Sequence, residues 1–138
     1  MCGIFGYVGN KKEAASIVLE GLKTLEYRGY DSWGIAVVDE KFNRKEIIVK
    51  KKAGKIGNAN VKELPQSKIA LGHTRWATHG GVTDINAHPH FDCNKNIAII
   101  HNGIVENYLE IKTKLGEINH KYISETDTEV IVHLIEDN

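Results

Sequence analysis

Apolar residues recur along this chain with two periods, one that predicts strands and one that predicts helices. Short runs that are apolar or β-branched and bounded by turn residues are typical of strands, and they cover residues 2–8, 34–39, 46–52, 68–75 and 96–101. The segment 11–27 instead repeats apolar residues at spacings of three and four, which predicts an amphipathic helix. Its apolar stripe comprises Ala15, Val18, Leu22 and Leu25.

Two further helices are predicted in the second half of the chain. The first covers residues 104–116, where one face carries Ile104, Tyr108, Ile111 and Leu115. The second follows Ser124 and Thr126, each of which has an acidic residue three positions later, as in a capping box. A short helix is also expected at 60–64, and loops are expected at 28–31 and at 79–94.

The composition is that of an ordinary globular domain. The 138 residues are 41% hydrophobic and 26% charged, and 18 basic residues balance 18 acidic ones. A chain without net charge lacks the basic surface of proteins that bind nucleic acid or anionic membranes, so we expect neither partner. The N-terminus lacks the basic and apolar regions of a signal peptide, and two cysteines do not form a disulfide framework. A cytoplasmic location is therefore expected.

The candidate chemistry begins at Cys2. A small second residue permits removal of Met1, which would leave a cysteine whose thiol and α-amine belong to one residue. An ordinary thiol and an ordinary α-amine have similar pKa values, so the amine can serve as the general base of the thiol. Taken alone, however, a cysteine near a terminus is more often a small buried apolar residue.

A second cluster follows the strand predicted at 68–75. Arg75 at the strand end, close to the hydroxyl of Thr78, suits bidentate capture of a carboxylate. Glycines at 80 and 81 would let the following loop, which includes His79, move as a lid. The alternative is a structural ion pair of Arg75.

Asn102 and Gly103 follow the strand predicted at 96–101. Their side-chain and backbone N–H groups are suitable donors for the oxyanion that forms when an amide is attacked, although an isolated Asn-Gly pair is also a common turn. Asp127, near a helix start, is either a local cap or an anion for a substrate ammonium. In the second case Arg75 and Asp127 would hold both ends of an amino-acid zwitterion.

The histidines at 79, 88 and 90 raise the question of a metal site. His88 and His90 lie two residues apart, but no cysteine or glutamate stands at a spacing typical of zinc ligands. We therefore expect no metal at these histidines, and we expect them to order the loop.

Six segments, taken in order, resemble the glutaminase domain of the glucosamine-6-phosphate synthase family, a branch of the class II glutamine amidotransferases with an N-terminal nucleophile. The segments are MCGIFGYVG, LEGLKTLEYRGYDSWGIAVVD, GHTRWATHG, NAHPH, HNGIVENY and SETDTEVI, and they span essentially the whole chain. Their order is far more specific than any one segment.

The resemblance implies a role for each matched residue. Cys2 is the nucleophile, with its α-amine as base, and Asn102 and Gly103 form the oxyanion hole. Arg75 binds the α-carboxylate of glutamine and Asp127 binds its α-amino group. The remaining residues cover the glutamine (Trp76, Thr78 and His79) or support the site (Arg28 and His88).

The resemblance also implies the fold and the reaction. The family fold is α+β, a four-layer αββα sandwich of two antiparallel sheets, and residues 1–138 would be an incomplete N-terminal part of the glutaminase domain, without the sugar-isomerase domain. L-Glutamine would be hydrolysed through a γ-glutamyl thioester, without a metal or a cofactor. In the full enzyme, expected to be a homo-oligomer, the ammonia would convert fructose 6-phosphate to glucosamine 6-phosphate. Trp33 departs from the family pattern, which has a small residue there, and this puts the packing near loop 28–31 in doubt.

Three alternatives stay open. A phosphoribosylamine-forming amidotransferase or an asparagine synthetase would share the cysteine chemistry. A catalytically inactive module would bind an amino acid without turning it over. A non-functional truncation product would not fold at all.

Overall fold

Strands and helices are both present in this computed structural model, which describes residues 1–41 and 44–138. The helices are α1 (Ala14–Leu25), α2 (Tyr108–Glu117) and α3 (Glu129–Asp137), and a 3-10 turn, Glu26–Arg28, follows α1. The strands are β1 (Gly3–Val8), β2 (Ser32–Lys41), β3 (Arg44–Ala53), β4 (Ile69–Arg75), β5 (His90–Phe91) and β6 (Ala98–Ile99).

All pairs of neighbouring strands are antiparallel. Four strands form the larger sheet in the order β1–β4–β2–β3, and β5 pairs with β6 in a separate ribbon. Helix α1 packs on one face of the larger sheet, where Gly21 lies so close to the Phe5 ring that an added Cβ would be 2.5 Å from it. On the opposite face, Gly34 approaches the main chain at His88. The expected α+β class with antiparallel sheets is confirmed.

From one side of the molecule to the other, the layers are α1, the four-stranded sheet, the β5–β6 ribbon, and α2 with α3. The ribbon follows the segment at His88, and α3 contacts β5 while α2 contacts α3. The second sheet therefore has only two strands among the described residues, and α1 and α3 lie on the outside. This arrangement places the ends of β1, β4 and β6 near one another, between the two layers of strands.

The main core lies between α1 and the larger sheet. Trp33 is only 2% exposed and belongs to this core, so the doubt about its packing is removed. The Lys50 ammonium lies 6.0 Å from the centre of the Trp33 ring. The rest of the cluster comprises Ala14, Ala15, Val18, Leu19, Leu22, Ile35, Val37, Ile56, Val61, Leu64 and Ala70.

Some local predictions are wrong. The helix expected at 60–64 is a turn, in which the Leu64 N–H donates to the Val61 carbonyl at 3.0 Å and both side chains are buried. The helix expected from residue 104 begins only at Tyr108, and Ile104 is exposed. The strand predicted at 96–101 pairs only at Ala98–Ile99, and the predicted loop 79–94 contains β5.

The start of α3 also differs from the capping boxes that the sequence predicts. Thr128 is the N-cap and makes no side-chain cap hydrogen bond. Glu129 instead accepts the Ser124 hydroxyl at 2.6 Å and the Ser124 N–H at 2.7 Å, both on Oε2. Both bonds run from Ser124 to Glu129, five residues later, so the reciprocal exchange of a capping box is absent here. Separately, no helix in the described part of the chain has the length and apolar character needed to span a bilayer.

Candidate active site

A cavity of about 470 Å³ lies at the beginning of β1. It brings together eight of the ten site residues that the sequence predicts: Cys2, Arg28, Arg75, Trp76, Thr78, His88, Asn102 and Gly103. Met1, His101, Ile104 and Thr128 complete the lining. His79 and Asp127 are not part of the lining. Residues separated by a hundred positions in sequence therefore meet in one pocket.

The Cys2 thiol contacts the main chain just beyond the end of β4. The Trp76 N–H donates to the Cys2 Sγ at 3.2 Å, and Sγ lies 3.6 Å from the Trp76 carbonyl oxygen. An N–H donor of this kind stabilises negative charge on sulfur. Residue patterns give no sign of this contact, because it comes from the backbone. The Trp76 side chain is 46% exposed and packs edge-on against Tyr30, with ring centroids 5.6 Å apart.

The loop at 28–31 fixes the position of the Trp76 main chain. An added Cβ at Gly29 would lie 2.8 Å from the Arg75 carbonyl carbon, so only glycine permits this close approach. The Asp31 N–H donates to the Arg75 carbonyl at 3.0 Å, and the Asp31 carboxylate accepts the Ala77 N–H at 2.8 Å. Loop 28–31 therefore holds residues 75–77 from two sides, and Trp76 keeps its N–H aimed at the thiol.

The Asn102 amide is held at both ends. Its Nδ2 donates to the Cys2 carbonyl at 3.1 Å, and its Oδ1 lies 2.8 Å from His73 Nε2. Since Oδ1 can only accept, His73 must carry its proton on Nε2. His73 is a positioning residue that sequence reasoning missed, and the only signal was its place on β4, two residues before Arg75. At Gly103 an added Cβ would lie 2.7 Å from the His101 ring, so a larger residue there would require that ring to move.

Arg75 is almost fully buried, with 3% of its surface exposed. Its guanidinium donates to the carbonyls of His79, Gly80 (3.4 Å) and Gly81 (3.1 Å). Burial lowers the pKa of Arg75, and the negative charges of Cys2, Asp31 and Asp127 oppose that shift. Arg75 thus lines the cavity and also holds the loop that follows it, a second contact the sequence did not predict.

The two predicted residues outside the cavity lining lie behind it. The Asp127 carboxylate is 4% exposed and accepts the Val105 N–H at 2.7 Å, so it anchors the segment after Gly103. It does not cap α3 by a side-chain hydrogen bond to the helix. The His79 carbonyl receives Arg75, while its ring packs against Tyr108 with centroids 5.6 Å apart.

Three buried histidines form a stack beneath Asn102. The His73 and His88 rings are nearly parallel, with their centroids 4.1 Å apart. The His88 and His90 rings pack edge to face, with their centroids 4.5 Å apart. His90 Nε2 lies 3.0 Å from the Thr126 hydroxyl. Burial lowers the pKa of His73 to about 4 and that of His90 to about 3, and it lowers the pKa of His88 as well. The stack is therefore neutral near pH 7.

We expect this stack to make the fold sensitive to acid. In the unfolded chain each histidine binds a proton below its ordinary pKa of about 6.5, whereas in the folded chain it does not. The unfolded state then binds more protons, so the free energy of unfolding falls as pH decreases from about 6.5 toward the folded pKa values. Each histidine contributes up to about 1.4 kcal/mol per pH unit.

Chemical unfolding measured between pH 7 and pH 5 tests this. The variant His90→Gln keeps a donor for Thr126 but does not titrate, and it should reduce the slope by about one third. An unchanged slope would assign the acid sensitivity to other groups.

The comparisons with known proteins agree with this geometry. A family profile described as "Glutamine amidotransferase domain" matches residues 49–138. The chain belongs to this family. Among curated glutamine amidotransferases it is 54% identical to a "Glutamine--fructose-6-phosphate aminotransferase [isomerizing]" of Methanococcus maripaludis, over 99% of the chain, and 54% identical to one of Pyrococcus horikoshii, over 100% of it. The chain spans only 22% and 23% of the length of these two relatives.

Solved structures of amidotransferases share the fold. The glutamine phosphoribosylpyrophosphate amidotransferase of B. subtilis superposes with a TM-score of 0.80 at 28% identity, and the chain covers 30% of it. A structure described as the allosteric regulatory enzyme of purine biosynthesis gives a TM-score of 0.82 at 30% identity, with the same coverage. In both comparisons all of this chain is matched, so its layers are those of the amidotransferase fold.

Proposed function

We propose that this domain hydrolyses L-glutamine to glutamate and ammonia, with Cys2 as the nucleophile, and that the full-length protein transfers the ammonia to fructose 6-phosphate. The observation that carries the proposal is the cavity in which the Cys2 sulfur, the Trp76 N–H, Asn102 and Gly103 meet. Amide hydrolysis needs a nucleophile beside donors that stabilise an oxyanion. This pocket places both kinds of group together.

Glutamine recognition is assigned to buried charges at the cavity. Arg75 lines the pocket and offers a guanidinium for the α-carboxylate, a pairing that is commonly bidentate. Asp127 lies close enough to Arg75 to interact with it electrostatically and offers an anion for the α-ammonium. Thr78 lines the cavity from the loop that Arg75 holds, and His79 belongs to that loop. Binding would then order the loop over the substrate.

The reaction proceeds by acyl transfer. After Met1 is removed, the α-amine of Cys2 takes the thiol proton, and the sulfur attacks the side-chain amide carbon of glutamine. Asn102 and Gly103 donate hydrogen bonds to the oxyanion. The carbon–nitrogen bond then breaks, the nitrogen takes the proton and leaves as ammonia, and a γ-glutamyl thioester remains. Water, deprotonated by the same amine, hydrolyses the thioester to glutamate and restores the thiol.

The acceptor is assigned from the relatives. The two curated relatives named above are glutamine–fructose-6-phosphate aminotransferases at 54% identity, whereas the purine-pathway structures are 28% and 30% identical. We assign residues 1–138 to the N-terminal part of the glutaminase domain. The sugar-isomerising half lies outside these residues in this proposal, and a homo-oligomeric state of the full-length enzyme stays a prediction.

Glutamate release by the full-length protein, measured with different acceptors, tests the proposal. We expect fructose 6-phosphate to stimulate release and glucosamine 6-phosphate to form, whereas phosphoribosyl pyrophosphate and aspartate have no effect. Stimulation by either of the other acceptors would overturn the choice of acceptor. Glutamine binding without glutamate release in any condition would indicate an inactive amino-acid-binding module.

A further inference from the structure

Four potential metal-ligating side chains converge outside the lining of the cavity that holds Cys2. They are Cys93, in the turn after β5, His120, after α2, and His133 and Glu136, one turn apart on α3. One ligand atom from each lies within 4.8 Å of all the others. The atoms are the Cys93 Sγ, the Nδ1 of His120 and of His133, and the Glu136 Oε2. We call this group the Cys-His-His-Glu cluster.

Five of the six distances within the cluster are close to the edges of a tetrahedron around a small cation. Zinc bonds of about 2.0–2.1 Å to nitrogen and about 2.3 Å to sulfur imply edges of about 3.3 Å between two nitrogens and about 3.6 Å between nitrogen and sulfur. The two Nδ1 atoms are 3.3 Å apart, and they lie 3.2 Å and 3.1 Å from the Glu136 Oε2. The Cys93 Sγ lies 3.8 Å and 3.7 Å from the same nitrogens.

Either hydrogen bonds or a bound cation can account for this convergence. If only one histidine carries its proton on Nδ1, that proton bonds to the Glu136 Oε2, which also accepts the Cys93 N–H at 3.0 Å, and the other Nδ1 faces the Cys93 thiol. If both histidines carried a proton on Nδ1, the two protons would point at one carboxylate oxygen from atoms only 3.3 Å apart. A central cation satisfies every ligand atom at once, with the histidines neutral and Cys93 and Glu136 each carrying one negative charge.

The surroundings hold each ligand in a coordinating orientation. The outer nitrogens of the rings lie near carboxylates but beyond hydrogen-bond distance, with His133 Nε2 3.7 Å from Glu129 and His120 Nε2 3.8 Å from Asp137. Metal-bound histidines typically donate to an outer carboxylate, and a small rotation of either ring would form that bond. The Glu136 Oε1 accepts the Asn94 amide at 3.1 Å, and its Oε2 faces the cluster and accepts the Cys93 N–H at 3.0 Å. The Cys93 sulfur also accepts the Lys121 N–H at 3.5 Å.

We propose that the Cys-His-His-Glu cluster is a structural Zn²⁺ site. The pairing of a thiolate with two imidazoles favours zinc over Mg²⁺ and Ca²⁺, which prefer oxygen ligands. Four protein ligands complete a tetrahedron and leave no position for a catalytic water. The cation would join the turn after β5, the end of α2 and helix α3. It would thereby hold α3 at its middle and near its C-terminal end, where His133 and Glu136 lie.

Metal binding by the protein purified without a histidine tag tests this site independently of glutamine turnover. After chelator treatment, titration with Zn²⁺ should reach about one equivalent per chain. Co²⁺ in place of Zn²⁺ should give a thiolate-to-cobalt charge-transfer band and the intense visible bands of tetrahedral coordination. Zn²⁺ should also raise the melting temperature of the chelator-treated protein. A Co²⁺ titration that produced no thiolate-to-cobalt charge-transfer band would overturn the proposal.

Substitution of each cysteine in turn shows which of the two binds the metal. Cys93→Ser should abolish the charge-transfer band, whereas Cys2→Ser should leave the band and the stoichiometry unchanged. Asp137→Asn alters a half-exposed carboxylate that lies 3.8 Å from His120 Nε2, and it should weaken Zn²⁺ binding by about 10-fold. A band that survives Cys93→Ser, or that is lost with Cys2→Ser, would place the metal elsewhere and refute the assignment.

Discussion

Cys2→Ala should reduce glutamine hydrolysis by the full-length protein by at least about 10⁴-fold, because removal of a covalent nucleophile typically costs this much or more. Nothing else in the cavity can form the thioester: its other polar lining side chains offer two hydroxyls, two imidazoles, an indole, an amide and two guanidinium groups, and the sulfur of Met1 is a thioether rather than a thiol. The sulfur also receives the Trp76 N–H, so the substitution removes the group around which the pocket is arranged.

Glutamine should still bind to the Cys2→Ala variant. The charges assigned to recognition, Arg75 and Asp127, are buried and held by their own partners, and neither depends on the thiol for its position. Calorimetry with glutamine therefore serves as the control for an intact pocket. Turnover that persists while binding is intact would remove Cys2 from the nucleophile role.

Asn102→Ala should lower kcat by roughly 10²–10³-fold, the typical cost of losing one oxyanion donor. One N–H of the amide already donates to the Cys2 carbonyl, and His73 fixes the opposite end, so the amide enters the reaction with its orientation set. Since the oxyanion exists only after attack, the effect should fall on kcat with little change in KM.

The same substitution leaves the buried His73 Nε2 without a partner, which should cost about 1–3 kcal/mol of stability. A melting curve for Asn102→Ala is therefore needed beside the kinetics. Asn60→Ala, at an exposed position far from the cavity, is the matched asparagine control and should change kcat by less than about threefold. A similarly small change for Asn102→Ala would assign the oxyanion donors elsewhere.

The sequence predicted the larger elements because their patterns are strong. The β1 to β4 strands and α1 appear within a few residues of their expected bounds, since alternating or helical burial dictates them. The weaker patterns failed for physical reasons. Val61 and Leu64 suggested a helix by their spacing, but they are buried in a turn. Ile104 shares a helical period with Tyr108, yet the chain before α2 is held by the Asp127 carboxylate through Val105.

The sequence predicted most of the side chains at the site but missed the features that depend on the three-dimensional structure. Eight of the ten named residues line one cavity, because antiparallel pairing brings the start of β1 beside the end of β4 and the loops around them close the pocket. The Trp76 N–H was missed since backbone donors have no sequence signature. His73 was missed because its role depends on strand pairing. The Cys-His-His-Glu cluster was missed because only His133 and Glu136 are close in sequence, and Cys93 and His120 arrive from other segments.

Intact-protein mass spectrometry before and after 6-diazo-5-oxo-L-norleucine, an alkylator that mimics glutamine, tests the assignment of Cys2 most directly. We predict that Met1 is absent and that one adduct forms and maps to Cys2, with Cys93 unmodified and excess glutamine slowing the labelling. Labelling of Cys93 in place of Cys2, or of both at rates that glutamine does not affect, would contradict the account.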